Sequence, residues 1–238
     1  MKAILPAFIA AFVAWGQTFG QQSSLIEVRL GSQVWSAKNL SVETFRNGDP
    51  IAEAKTAEEW QKAAQLKIPA WCYYNNDPKM DHTYGKLYNW YAVSDPRGLA
   101  PEGWEIPTEA QWSELVEWLG GKTKAAYALK SRNGWAGNGN GTNISDFNAK
   151  PGGGRYFDGS FEGLEEYANW WTATEFDESY AYDRNLNDGT SNALAYFSMK
   201  EDGFSVRCIR QSTSQSHESP VVKRVESDQR KGNGSSQP

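Results

Sequence analysis

The chain is poor in the residues that most often do chemistry. Of its 238 residues, two are cysteine and two are histidine. With so few thiol and imidazole ligands, neither a zinc cluster of the usual spacing nor a Ser/His/Asp set can be assembled. His82 stands alone in mid-chain, and His217 falls in a polar stretch near the C-terminus. Basic charge is also short, with 24 Lys and Arg against 29 Asp and Glu, for a net charge of −5. No basic stripe is available to neutralise phosphates, which argues against a nucleic-acid partner. The apolar run from Ala3 to Trp15 is shorter than the roughly 20 residues a membrane-spanning helix needs.

That run fits a different role. Lys2, the apolar stretch, and the small residues Thr18 and Gly20 together have the layout of a secretory signal peptide, with cleavage expected after Gly20. At the other end, residues 211–238 are polar, carry no aromatic side chain, and offer only Val221, Val222 and Val225 as apolar groups. Such a segment cannot bury enough surface to offset the entropy of ordering it, so a disordered tail is expected. The expected organisation is a signal peptide over 1–20, one domain over 21–210 and the tail, with the protein secreted or at the cell surface. An even cysteine pair in an oxidising compartment suggests a Cys72–Cys208 disulfide, the alternative being two buried free thiols.

Tryptophan is abundant, and ten of the eleven lie inside the expected domain. Large aromatic side chains dominate cores, so packing is their first explanation. Local structure is legible in several places. Ile26, Val28 and Leu30 alternate, Gly31-Ser32 interrupts, and a second alternation runs through Val34 and Ser36; this pattern predicts a β-hairpin. Thr56 with Glu59 has capping-box spacing and predicts a short helix over 56–66. Leu87, Trp90 and Tyr91 recur at helical spacing and predict a helix over 84–93.

The stretch "PTEAQWSELVEWLGG" (107–121) predicts the clearest helix. Thr108 caps it with Gln111, Ile106 and Trp112 are placed as a hydrophobic staple, and Trp112, Leu115, Val116 and Leu119 form an apolar stripe. Gly120 ends it. Glu109, Glu114 and Glu117 fall off the stripe and are expected to be solvated or paired with the helix dipole. A weaker helix is expected over 122–131, followed by Gly/Asn-rich loop. Strand-like pieces close the domain at 169–174, 193–199 and 204–210. Strands near both ends with helices between them suggest an α+β fold with the terminal strands paired.

The segments "GSQVWSAKNL", "WCYYNND", "YGKLYNWYAV", "PEGWEIPTEAQWSEL", "NGNGT", "KPGGGRY", "NWWTATE" and "GFSVRCIR" occur in this order over 31–210. Together they resemble the Fibrobacter succinogenes major paralogous domain family of exported bacterial proteins. More distantly, "IPTEAQWSEL" and "GFSVRC" look like the formylglycine-generating-enzyme and C-type-lectin-like superfamily. The resemblance implies a compact, irregular C-type-lectin-like domain with short strands, about three to four helices and a loop-built ligand face. It also implies a cysteine where this chain has Ala100, bonded to the counterpart of Cys208. With Ala100 present, Cys208 is left to find Cys72 or stay free.

Four functional readings follow. Oxidase chemistry of the formylglycine-generating type needs two neighbouring thiolates to hold copper, and Cys208 has no neighbour in sequence. A hydrolase could draw on Glu165, Glu166, Glu175, Asp177 and Glu178, although acidic surface loops look the same. Structural calcium has candidate oxygen donors in Asn138, Asn140 and Asp146, with Thr142 and Asn143 between them, but the EF-hand pattern fails and an Asn/Gly turn is the simpler explanation. Recognition is the preferred reading: an extracellular, non-enzymatic binding domain for glycan or protein. Its candidate contacts are Trp170, Trp171, Tyr156, Tyr180, Tyr182 and Glu175, with Phe157 and Tyr167 nearby. If 169–174 is a strand, one of the two tryptophans is expected inside and the other outside.

Overall fold

The computed structural model describes residues 25–211. The expected signal peptide (1–20) and the expected tail beyond Gln211 lie outside the described residues. Among the described residues, twelve strands and five short α-helices make a mixed α/β domain. The strands are β1 (Glu27–Leu30), β2 (Gln33–Ser36), β3 (Ala52–Glu53), β4 (Ala70–Cys72), β5 (Leu87–Asn89), β6 (Gly152–Arg155), β7 (Phe161–Leu164), β8 (Tyr167–Glu175), β9 (Tyr180–Asn187), β10 (Leu194–Met199), β11 (Gly203–Phe204) and β12 (Ile209–Gln211). The helices are α1 (Ala57–Gln65), α2 (Asp81–Tyr84), α3 (Trp90–Val93), α4 (Glu109–Trp118) and α5 (Lys122–Leu129). Two of the five are single turns, so the helix count exceeds the expected three to four.

The expected hairpin forms from β1 and β2, and β12 adds to β2 with Ile209 opposite Trp35, so the two ends of the domain are indeed paired. The larger sheet runs β10-β9-β8-β6-β11-β5-β4-β3, with β7 paired to β6. Strand β6 is nearly all glycine, and at Gly153 and Gly154 its neighbours leave no room for a Cβ. A Cβ on Gly153, whose φ is +61°, would lie 2.4 Å from the Glu162 carbonyl oxygen.

Helices α1 and α4 follow the capping chemistry written in their sequences. Thr56 accepts from the Glu59 amide and Thr108 from the Gln111 amide, and in both the third residue's side chain returns to the cap. Trp112, Leu115 and Val116 are buried as a stripe, and Gly120 follows the helix end with φ +92°. The staple does not form. Ile106 packs against the cluster that contains Trp171 and Phe204, while Trp112 packs with Trp35 and Trp170 in the other, because Pro107 separates Ile106 from the cap.

Two other expectations are corrected. Over 84–93 the chain is not one helix: Leu87–Asn89 is strand β5, paired with β4 and β11. The helix starts only at Trp90, because Asn89 is extended and its side chain caps α3 by accepting from the Ala92 amide at 3.1 Å. Over 204–210 the strand is interrupted between Phe204 and Ile209. There Arg207 turns inward and donates to the carbonyls of Ser36 and Phe147.

The core is three apolar clusters, and β8 divides the first two. Trp170 packs with Trp112, Phe147 and Trp35 on one side. Trp171 packs on Phe204 at 4.7 Å on the other, with its indole donating to the Tyr88 carbonyl at 2.8 Å. The two side chains do point oppositely, but both faces of the strand are covered. Fully burying side chains of this size contributes about 2–3 kcal/mol each, enough to fix the strand between its two layers.

Candidate functional site

The structure removes several candidate contacts from the surface. Trp170 and Trp171 are 1% and 0% exposed, so neither can stack on a ligand, and the expectation that one of them faces outward is corrected. Tyr156 is partly buried with its ring edge against Phe204 at 6.5 Å. Burial, reinforced by Asp202, pushes its phenol up to about 12. Glu175 stays exposed, but its carboxylate is tied to buried Lys200, which also donates to the Glu178 carbonyl at 2.7 Å. Asp177 accepts from the amides of Ser179 and Tyr180, both at 2.8 Å, so this carboxylate shapes the β8–β9 turn. Glu109 is likewise not merely solvated: Arg184, almost fully buried, donates from Nε to its carboxylate at 2.7 Å.

The cysteines form no disulfide. Both are buried free thiols, Cys72 in the cluster around Trp60 and Cys208 in the cluster around Trp171. They belong to separate cores, which is why the pairing fails. Burial pushes each thiol up to about 12, far from the thiolate that copper or nucleophilic chemistry requires.

The calcium candidates do not converge. Asn138 and Asn140 border a small cavity next to Lys130, whereas Asp146 borders a different cavity beside Ile26 and Trp118. Asn140 accepts from the Trp135 amide and Asn143 from the Asn148 amide, so these side chains tie the turn together. No group of three or more His, Cys, Asp or Glu side chains that could hold a metal ion exists among the described residues.

Two candidates do come together, and with partners that single-strand patterns had not singled out. Tyr180 and Tyr182 lie on one face of β9, opposite Met199 and Phe197 of β10. Phe176, just after β8, stacks on Phe197 with ring centroids 4.3 Å apart and planes 4° from parallel. Tyr182 meets Phe176 edge-on at 5.4 Å, and Tyr180 meets Phe197 edge-on at 5.8 Å. Phe176 remains 45% exposed and Phe197 51%. The detectable signal was the matched alternation, Tyr180-x-Tyr182 against Phe197-x-Met199, which requires knowing that the two strands pair.

Through Tyr180 this aromatic cluster adjoins a groove of about 550 Å³ between α1 and the β9–β10 hairpin. Phe157, Tyr180, Met199 and Ala64 give it apolar walls; Gln61 and Glu201 are among its polar groups. Gln61 is oriented by donating to the Asp158 carbonyl at 2.6 Å, and Glu201 accepts from the Tyr91 hydroxyl at 2.8 Å. A concave site with apolar walls and a few oriented polar groups has the general character of a small-ligand site.

The architecture and this surface define a class: a mixed α/β domain bearing an exposed aromatic cluster beside a polar-rimmed groove. The chain belongs to the Fibrobacter succinogenes major domain family, whose pattern it matches over residues 28–210. No curated protein and no solved structure matches it. No helix among the described residues is long and apolar enough to cross a membrane.

Proposed function

We propose that the protein is an exported, non-enzymatic binding domain that recognises a glycan outside the cell through the Phe176–Phe197 aromatic cluster and the adjoining groove. The carrying observation is the pairing of open aromatic rings with oriented polar groups. A sugar ring has an apolar C–H face that packs on aromatic carbon and hydroxyls that need donors and acceptors. Glu201 and Gln61 can supply those hydrogen bonds where Tyr180 and Met199 supply the packing. Within this reading the irregular α/β fold is C-type-lectin-like, and residues 1–20 are removed on export. N-terminal sequencing of the mature protein tests the latter.

A glycan array probed with the mature domain tests the proposal. Retention of a defined class of sugars, lost in Phe176→Ala and Phe197→Ala, supports it; no retained sugar, with protein partners captured instead, overturns it. For the secreted-hydrolase alternative, a glycosidase and peptidase screen is the test, with Glu175→Gln and Asp177→Asn as controls. Activity abolished in either variant would replace the binding reading.

A second reading, a structural component of a cell-surface or secreted assembly, has one specific observation in its favour. Strand β10 ends the large sheet, and its sequence Leu194–Met199 has neither charge nor proline to discourage pairing with another chain. Phe197→Lys would abolish concentration-dependent association under this reading, whereas a monomer at all concentrations supports the glycan reading.

A further inference from the structure

A second cleft lies on a different part of the molecule and shares no lining residue with the aromatic groove. It encloses about 450 Å³ between the segment following β2, helix α2 and the loop at 148–150. Two lysines and an arginine line it, Lys38, Lys150 and Arg207, together with the imidazole of His82, against one carboxylate, Asp81. Asp81 is already engaged, since its oxygens face Ser41 Oγ and, at 3.7 Å, the buried ammonium of Lys86. The cleft is therefore cationic on a chain whose net charge is −5.

Arg207 is the centre of this arrangement. It is 2% exposed, yet its partners are all neutral oxygens. Nε donates to Asn39 at 2.7 Å, Nη1 to the carbonyls of Ser36 and Phe147, and Nη2 only to Asn148 at 3.5 Å. Among the described residues no carboxylate lies within salt-bridge reach of it. A guanidinium has five N–H donors, so one Nη2 donor is left over in a side chain that borders the cleft. A buried charge without a counter-charge is costly. Burial lowers the pKa of both Arg207 and Lys150, and an anion entering the cleft would reverse that penalty. Lys150 likewise contacts only neutral oxygen, the side chain and carbonyl of Asn133. The cleft is also built to keep its shape, because Asn39 is fixed by Tyr84, Ser205, Trp170 and Arg207.

The rest of the lining, including Asn148 and Thr83, offers amide and hydroxyl groups suited to a hydroxylated ligand. We propose that this cleft binds a small sugar acid, its carboxylate held by Arg207 and Lys150 with Lys38 at the mouth and its hydroxyls by the amide and hydroxyl lining.

Calorimetric titration of the full chain with glucuronate, glucose and inorganic phosphate tests this. Glucuronate is expected to bind, more weakly as salt rises. Glucose and phosphate are expected to bind at least about ten-fold less tightly, each lacking one half of the recognition. The double variant Lys38→Ala/Lys150→Ala, which leaves the buried Arg207 network intact, should lose at least about ten-fold in glucuronate affinity. Phe197→Ala should bind glucuronate unchanged, which separates this site from the aromatic groove. Equal binding of glucose or phosphate would overturn the sugar-acid assignment, and undiminished binding in the double lysine variant, or no binding of glucuronate, would overturn the site.

Discussion

Asn39 and Arg207, 168 positions apart, meet at 2.7 Å, the asparagine oxygen accepting the guanidinium Nε–H. The same oxygen accepts the Trp170 indole at 2.9 Å, so one side chain ties the end of the first hairpin to β8 and to the segment before β12.

Asn39→Ala would strand a buried charged donor and a buried indole donor together. The expected loss is about 3 kcal/mol in urea unfolding, against less than about 0.5 kcal/mol for the exposed Asn138→Ala. Equal effects in the two variants would show that the Asn39 junction carries no special weight.

Arg184 and Glu109 join β9 to the first turn of α4, and Ser113 adds a further oxygen to the guanidinium at 2.6 Å. Replacing Glu109 with Gln leaves a nearly buried arginine charge without its counter-charge. Because Glu109 keeps some exposure, the expected cost is reduced to about 2 kcal/mol. A double-mutant cycle with Arg184→Met should return a coupling of the same order, and additive losses would refute it.

Stability should fall as pH rises through the mildly acidic range. Burial pushes Asp183 and Asp202 each up to about 7, while an unfolded aspartate titrates near about 3.9. Ser198 and Arg184 pull Asp183 back, the Phe157 amide does so for Asp202, and Glu201 raises Asp202 further. Between those two values the folded state holds more protons than the unfolded one. This contribution is therefore fully present below about pH 4, and is lost by about pH 7. Asp183→Asn should flatten the profile between those limits relative to the parent protein. A parent profile that rises with pH as steeply as the variant's would contradict the assignment.

With both thiols buried and protonated, neither Cys72 nor Cys208 should react with a thiol reagent until the protein unfolds, after which two equivalents should be consumed. Adding reductant should leave the melting temperature unchanged. A shift on reduction would restore the disulfide that the two separate cores exclude.

What could be read from the sequence was whatever depends on near neighbours. The capping boxes at Thr56 and Thr108, the Gly31-Ser32 hairpin and the stripe on α4 are local physics, and each is present. Errors came where long-range packing decides. Leu87 reads as helical until β4 and β11 claim its backbone, and "NWWTATE" reads as one-sided until core covers both faces of β8. Tyr180 and Tyr182 were visible as candidates. Phe176 and Phe197 were not, because their stacking depends on the β8–β9 turn and the β9–β10 register. The cationic cleft was invisible for the same reason: Lys38, Lys150 and Arg207 become neighbours only through folding.

The most direct test of glycan recognition is a titration of the protein with the best sugar retained on the array, run beside Phe176→Ala and Phe197→Ala. Losing one aromatic contact should weaken binding about ten-fold or more in each variant, with melting temperatures close to the parent because both rings are half exposed. Affinity unchanged in both variants would contradict the account.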